Sequence, residues 1–170
     1  KSFGYHTYDK TIKVQNSDIY DVASITKILA TLPNVMLQYD QGKINLQTTL
    51  GTMSPVFIGS NKQNINFKDL LSHYAGLAAG LPFYKAALNQ ANKPSEVYFR
   101  KNLEDNFTKK LADSLYIRND FSDVIMKMIV DSKLSPRKEY KYSDLTFMIL
   151  KDYLEKTTGK TLDVLIQENF

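Results

Sequence analysis

The sequence contains no cysteine and only two histidines, and these shortages exclude several kinds of site. Without cysteine the chain has no disulfide scaffold, no thiolate metal ligand and no cysteine nucleophile. His6 and His73 lie far apart and lack the paired spacing that is typical of metal ligands. We therefore expect neither a metal nor another cofactor.

Long apolar runs and basic stripes are also missing. No stretch approaches the ~18 consecutive apolar residues of a membrane-spanning helix, so no span is expected. The net charge is +4, but lysine and arginine are interspersed with acids, which favours a solvated surface over a nucleic-acid interface. Residues 1–5 lack the features of a signal peptide and have the composition of a strand, so we expect the chain to begin within a larger protein.

What is present is the composition of one ordinary globular domain. The chain has 170 residues, of which 43% are hydrophobic, enough to build a core. Residues 2–8 alternate and are rich in aromatics, which predicts a strand followed by a turn at 9–11. Residues 12–18 fit either a strand or an extended loop.

After this start the apolar spacing predicts mostly helix. A helix is predicted to begin near Ser24, because apolar residues recur at helical intervals from Ile25 to Tyr39. A kink or break is expected at Pro33 and an end at Gly42. Later stretches are predicted as a loop over 45–66, a short helix over 67–73 stopped by Gly76, helical segments over 96–115 and 120–132, a turn at 135–137, a helix ending at Gly159, and a last helix from 162.

Ser24-Ile25-Thr26-Lys27 forms an S-x-x-K tetrad at the start of the first predicted helix. Residues three apart on a helix face the same way, so the Lys27 amine should lie near the Ser24 hydroxyl. A serine hydroxyl is a weak nucleophile at neutral pH, and both this amine and the positive end of a helix dipole would help it ionise. The competing interpretation is that Ser24 is only a helix N-cap.

The tetrad alone is weak because the sequence has a second one, Ser135 to Lys138, which is interrupted by Pro136. Two further segments, in a fixed order, add specificity. They are Phe67-Lys68-Asp69-Leu70-Leu71-Ser72-His73-Tyr74-Ala75-Gly76-Leu77 and Tyr142-Ser143-Asp144-Leu145.

Together these segments resemble the serine β-lactamase and penicillin-binding-protein superfamily, particularly its class C and esterase-like branch. Residues 19–27 resemble the nucleophile segment, 67–77 the L-L-[TS]-H-x-x-G-L stretch, and 142–145 the Tyr-x-Asn motif with Asp in the third place. Residues 76–84 are more loosely similar to domains fused behind family 3 glycoside hydrolases. The resemblance implies an α+β fold of the β-lactamase/transpeptidase type.

The resemblance also implies roles for four residues. Ser24 would be the nucleophile, Lys27 its neighbouring cation and Tyr142 the group that takes and returns the serine proton. Asp144 would hold Lys27, and where the family usually has Asn this carboxylate would raise the pKa of the lysine while burial would lower it. If the carboxylate dominates, Lys27 stays charged and Tyr142 is the better base.

Two other candidate sites are weaker. Ser72 and His73 are sequence neighbours, which does not give triad geometry, and the resemblance implies a structural role for His73. Gly159-Lys160-Thr161 lacks the earlier glycine of a phosphate loop, because Leu154 occupies that place.

The third motif of the superfamily, Lys-Thr-Gly or His-x-Gly on a strand, does not occur. Residues 156–159 come near it but follow a helix, so Gly159 is expected to be a helix C-cap. We therefore expect residues 1–170 to be the N-terminal and helical part of one domain, a fragment with an incomplete antiparallel sheet. Residues 2–8 would then be an exposed strand edge, pair with another copy, or be poorly ordered.

The leading functional hypothesis is a serine hydrolase that acts through an acyl-serine on an ester, a β-lactam or a D-amino-acid peptide, with little activity in the fragment itself. The alternatives are an acylated sensor or noncatalytic binding module, and a helical interaction domain in which Ser24 and Tyr142 would lie far apart. The resemblance implies a periplasmic or secreted protein.

Overall fold

The fold is built around a helical segment that follows Ser24. The computed structural model describes residues 1–137 and 139–170, and in it this segment opens as a π-helical turn, Lys27–Thr31. It continues directly as helix α1, Leu32–Asp40, with Pro33 in its first turn. The break predicted at Pro33 is thus a change of helix type. Gly42, with φ +69°, follows the helix end as predicted.

Six more α-helices occur in the described part of the chain, and three were predicted correctly in type and position. Helices α5, α6 and α7 match the predicted segment over 120–132, the predicted helix ending at Gly159 and the last predicted helix from 162. Helix α3 is shorter than predicted, and the stretch 45–66 contains α2 and a 3₁₀ turn at Pro55–Phe57 besides loop. The bounds are α2 Leu50–Met53, α3 Phe67–Leu71, α4 Phe83–Ala86, α5 Phe121–Asp131, α6 Asp144–Thr158 and α7 Leu162–Asn169.

A three-stranded antiparallel sheet occupies the stretch 96–115 and a little beyond, where helix was predicted, so that prediction is wrong. Its strands are β1 Phe99–Arg100, β2 Lys109–Ala112 and β3 Leu115–Ile117, in the order β1-β3-β2. Strands β2 and β3 form a tight hairpin through Ser114, whose φ is +54°. Antiparallel pairing between these three strands overrides the local helical pattern here.

The strand predicted over residues 2–8 is reduced to one bridge. Tyr5 pairs with Lys13, and the Val14 N–H donates to the Gly4 carbonyl. The predicted turn is present, because the Lys10 N–H donates back to Thr7. Aromatic side chains along this hairpin are exposed, as expected of an edge. Its pairing with another copy stays a prediction.

The core gathers buried apolar side chains of α6 and of the shorter helices. They come from α6, α3, α5 and α2 and from the 3₁₀ turn: Leu145, Ile149, Leu150, Leu154, Phe67, Leu70, Ile129, Leu50 and Phe57. Helices as short as α2 and α3 are not stable alone, so burial in this shared core holds them in place. This packing fixes the first turn of α6.

Lys62 is fully buried and ties the loop before α3 to the end of α5. Its Nζ donates to the carbonyl of Val130 at 3.1 Å and to that of Ser132. A cation at a helix C-terminus satisfies carbonyls that lack partners within the helix and interacts favourably with the dipole.

The loop 73–79 follows α3 and is bound to the segment that leads into α6. The Ser135 N–H donates to the Gly76 carbonyl at 2.8 Å, and the Ser143 hydroxyl donates to the Ala78 carbonyl at 2.6 Å. The Asp144 N–H donates to the Ala79 carbonyl at 2.9 Å. These bonds hold the start of α6 from outside the helix.

The side of the first helical segment that faces away from this core is apolar and exposed. Its exposed side chains include Ile25, Ile28, Leu29, Met36 and Tyr39. An apolar groove of about 650 Å³ lies beside it and reaches Phe170. Among the residues that the structure describes, no helix combines the length and apolarity needed to cross a bilayer.

Gly76 supplies a test of how the loop 73–79 is held. Its φ is +71°, and an added Cβ would lie 2.9 Å from the Ser135 carbonyl oxygen. We expect Gly76→Ala to lower the free energy of unfolding by about 2 kcal/mol or more, because it adds a backbone clash to the left-handed strain.

Two glycines give matched controls for urea unfolding of that variant. Gly42 has φ +69° with open space around it, so Gly42→Ala should cost only about 1 kcal/mol. Gly80 has open space and no left-handed φ, so Gly80→Ala should stay within about 0.5 kcal/mol. If Gly76→Ala and Gly42→Ala lower the free energy of unfolding equally, the close contact with the Ser135 carbonyl oxygen does not destabilise the Gly76 variant.

Candidate active site

Ser24 follows a residue held in a strained backbone conformation. Ala23 has φ +43°, which is costly for a residue with a Cβ, and its N–H donates to the Asp21 carboxylate at 2.7 Å. The Ile25 N–H then donates to the Val22 carbonyl and starts the helical path. This turn leaves the Ser24 side chain exposed at the head of the helical segment.

The Ser24 hydroxyl lies between a lysine and a tyrosine. Lys27 Nζ donates to Ser24 Oγ at 2.8 Å, as the i, i+3 spacing predicted. The Tyr142 hydroxyl donates to the same oxygen at 3.2 Å, from a segment 118 residues away in sequence. Within the described residues Ser24 Oγ accepts no bond from a helix N–H, so the N-cap interpretation of Ser24 is wrong. A fold that kept Ser24 and Tyr142 far apart is excluded as well.

Asp144 completes the group by pairing with Lys27. One carboxylate oxygen lies 2.7 Å from Lys27 Nζ, and the lysine side chain is only 17% exposed. Burial lowers the pKa of Lys27, but hydrogen bonding to Asp144 and Tyr142 and their charges outweigh it, so the pKa is raised from the ordinary value. Lys27 therefore remains a cation at neutral pH and has no free lone pair.

Tyr142 experiences the opposite influence. Its hydrogen bond to Ser24, then its interaction with the Lys27 ammonium, lower the pKa of the phenol, although slight burial and the Asp144 charge oppose the change. The side chain is 43% exposed, so solvent screens these interactions in part. Of the two groups beside Ser24, Tyr142 is thus the one that can accept a proton.

Two aromatic rings face the Lys27 ammonium. Nζ lies 5.4 Å from the centre of the Tyr142 ring and 6.0 Å from that of Phe147, within the range of cation–π attraction. Phe147 was not recognised in the sequence. The available signal was its position one helical turn after Asp144, which places both residues on one face of α6.

His73 contacts the tyrosine segment instead of acting with Ser72. Its Nδ1 accepts the Ser143 N–H at 3.2 Å, and its ring centre lies 4.7 Å from that of Tyr142. The Ser72 hydroxyl donates to the Lys68 carbonyl, so the two neighbours form no catalytic pair. Burial and the nearby Lys27 charge lower the pKa of His73, which favours the neutral ring.

An open cleft of about 600 Å³ borders the group on one side. Ala23, Lys27, Asp144 and Phe147 line the end next to the site. The rest is lined mainly by charged side chains of β2 and α6 and by apolar side chains of α5 and α6. A concave, partly apolar cleft beside titratable side chains is a common form of ligand site.

The other sequence candidates have ordinary structural explanations. Gly159 has φ +70° and is the C-cap of α6, as expected, and its N–H donates to the Glu155 carbonyl. Lys138, the last residue of the second S-x-x-K tetrad, lies outside the described residues. Ser135, the first residue of that tetrad, donates its backbone N–H to Gly76.

Comparison with known proteins relates the whole chain to one family. A family model described as Beta-lactamase matches residues 1–170. A protein of Escherichia coli (strain K12), provisionally named D-alanyl-D-alanine carboxypeptidase, is 24% identical over 95% of this chain and 33% of its own length. The N-acetylmuramyl-L-alanine amidase of Bacillus subtilis (strain 168) is 26% identical over 92% of this chain and 32% of its own.

Solved structures show the same fold. A class C β-lactamase from Rhodobacter sphaeroides aligns over 98% of this chain and 38% of that chain, with a TM-score of 0.61 and 15% identity. The penicillin-binding protein homologue from Pyrococcus abyssi aligns over 99% and 34%, with a TM-score of 0.62 and 16% identity. The α+β, β-lactamase/transpeptidase-like fold predicted from the sequence is confirmed. The chain spans about a third of the length of these relatives.

The electrostatics of the site predict an unusual tyrosine. The phenol of Tyr142 should titrate below its ordinary pKa of 10.0, and Lys27→Met should move the midpoint upward because the cation is lost. Carbon-13 NMR of ring-labelled tyrosine measures this, with the Tyr142→Phe spectrum identifying the signal. Tyr84, which is exposed, serves as the internal control. A Tyr142 midpoint unchanged by Lys27→Met would contradict the coupling.

Proposed function

Because this chain belongs to the β-lactamase family, we propose that it forms part of a serine hydrolase that works through an acyl-serine intermediate. The observation that carries the proposal is the contact of one hydroxyl, Ser24 Oγ, with both Lys27 Nζ at 2.8 Å and the Tyr142 hydroxyl at 3.2 Å. Acyl transfer needs a nucleophile within hydrogen-bond reach of a base and a third group that orients the two. Here Lys27 would be the third group, and its positive charge would stabilise the ionised base.

In the proposed reaction Tyr142, as phenolate, takes the Ser24 proton while Ser24 Oγ attacks the carbonyl carbon of the substrate. The charged Lys27 stabilises the phenolate, and Asp144 keeps Lys27 charged. The tetrahedral intermediate collapses, Tyr142 returns the proton to the leaving group, and an ester to Ser24 remains. Tyr142 then takes a proton from water, whose oxygen attacks the carbonyl carbon of that ester. As the bond between the acyl carbon and Ser24 Oγ breaks, Tyr142 gives this proton to Ser24 Oγ, so the acid is released and both Ser24 and Tyr142 are restored.

The proposed substrates are an ester, a β-lactam or a D-amino-acid peptide. The two named relatives carry names that refer to peptide or amide bonds of the cell wall, which supports a substrate of that chemistry. The same names support a periplasmic or secreted location. The cleft beside Lys27 and Asp144 gives a small molecule or peptide a place to bind.

We also propose that residues 1–170 are the N-terminal and helical part of one β-lactamase-like domain. The chain spans about a third of its relatives, and the exposed apolar face of the first helical segment is a surface that a core would normally cover. Such a part would hold the nucleophile but turn over substrate slowly, so a single acylation is the appropriate measurement.

A fluorophosphonate probe tests the nucleophile directly, because it bonds to activated serines. We expect intact-mass and peptide analysis to find one adduct, on Ser24, and none in Ser24→Ala. Ser135→Ala is the matched control, since it removes the serine of the second S-x-x-K tetrad and should label normally.

A fluorescent penicillin and a p-nitrophenyl ester then separate the functions. Labelling followed by turnover supports a hydrolase, whereas labelling that persists supports an acylated sensor. Failure of all three reagents to modify Ser24 would contradict the acyl-serine proposal and favour a noncatalytic binding module.

A further inference from the structure

His73 accepts hydrogen bonds from the backbone on both sides of Tyr142. Its backbone carbonyl accepts the Lys141 N–H at 2.9 Å, and its ring Nδ1 accepts the Ser143 N–H at 3.2 Å. One residue thus binds the amides immediately before and after the tyrosine. The ring itself lies against Tyr142, with centres 4.7 Å apart.

The hydrogen bond from the Ser143 N–H to the His73 ring satisfies an amide that water cannot reach. Ser143 is 1% exposed, so its N–H would lose a hydrogen bond if His73 offered no acceptor. An unsatisfied buried amide is costly, and the segment would move to satisfy it. Because Tyr142 is the adjacent residue, any such movement displaces its hydroxyl from Ser24.

The backbone of His73 is held in a conformation that is costly for a residue with a Cβ. Its φ is +61°, a left-handed conformation that a residue with a Cβ adopts at a cost. This conformation turns the carbonyl towards Lys141 and the ring towards Ser143 at the same time. Histidine, asparagine and aspartate tolerate it better than most residues.

We propose that His73 is a positioning residue that holds Tyr142 against Ser24, and that it does so only while its ring Nδ1 is unprotonated. The proposal rests on the proposed function, in which Tyr142 is the base. A protonated ring has two donors and no acceptor, so it cannot receive the Ser143 N–H. Acid should therefore loosen the tyrosine before it disturbs the rest of the fold.

The groups that face His73 are consistent with a neutral ring. Lys27 from the first helical segment disfavours a second cation, while Asp144 from α6 partly offsets it. Tyr140 and Tyr142 face the ring with centres 6.0 and 4.7 Å away, and Phe147 of α6 lies at 6.1 Å. Burial among these rings adds to the effect of Lys27.

The first test needs no variant. Nitrogen-15 NMR should show the Ser143 amide shifting with a midpoint below pH 6.5 as His73 protonates. Carbon-13 NMR of ring-labelled tyrosine should show a change at the Tyr142 ring over the same pH range. A Ser143 amide that does not respond to His73 would overturn the proposal. This result stands whether or not Ser24 reacts, so it separates the contact from the proposed reaction.

The second test follows acylation of Ser24 by the fluorophosphonate between pH 5 and 8. In the wild type, the logarithm of the rate should rise with pH at slope 1 above the His73 midpoint, because only Tyr142 has to lose a proton there. Below that midpoint the slope should steepen towards 2, because His73 also has to lose one. His73→Asn keeps a side-chain acceptor and tolerates the left-handed backbone, so its rate should stay near the wild type at neutral pH, with slope 1 throughout.

His73→Phe keeps a ring but removes the acceptor, and we expect acylation about tenfold slower at neutral pH with reagent affinity unchanged. Urea unfolding identifies any variant that fails to fold. Equal rates for His73→Phe and wild type, or the same acid limb in wild type and His73→Asn, would overturn the positioning role. An unreactive wild type with a responsive Ser143 amide would instead overturn the proposed function alone.

Discussion

The ion pair between Lys27 and Asp144 is the interaction on which the site depends. It joins the π-helical turn that follows Ser24 to the first turn of α6, two segments remote in sequence, at an N···O distance of 2.7 Å. The pair acts electrostatically as well as structurally, since it raises the pKa of the lysine and leaves a fixed cation beside the Tyr142 phenol.

A charge placed this way is useful only if both helices are held rigidly. Helix α6 is fixed by its buried apolar face, and its first turn is fixed again by the loop 73–79, which accepts hydrogen bonds from Ser143 and Asp144. The strained backbone at Ala23 and His73 lies at the two places where the chain turns into the site. Strain at such positions persists because surrounding packing and hydrogen bonds compensate it.

Much of this site was predictable, because its residues belong either to one short motif or to motifs that follow one another in a recognisable order. The i, i+3 spacing placed Lys27 beside Ser24, and the ordered resemblance brought Tyr142 and Asp144 to the same place. The stretch 96–115 was mispredicted because pairing between its strands, including the hairpin of β2 and β3, overrides the local helical pattern. The contacts of His73 were not predictable, since they depend on how the loop 73–79 packs against the segment that leads into α6. Phe147 was missed although it lies one helical turn after Asp144. The strand predicted over residues 2–8 is reduced to a single bridge.

The central claim is that Asp144 keeps Lys27 charged and so makes Tyr142 the base that activates Ser24. The most direct measurement is the rate of Ser24 acylation by a fluorophosphonate between pH 7 and 10.5, in the wild type and in Tyr142→Phe. We expect the wild-type rate to rise to a plateau with a midpoint below 10.0, the ordinary tyrosine value, and this rise to disappear in Tyr142→Phe. A rise that survives in Tyr142→Phe would show that a group other than Tyr142 is the base.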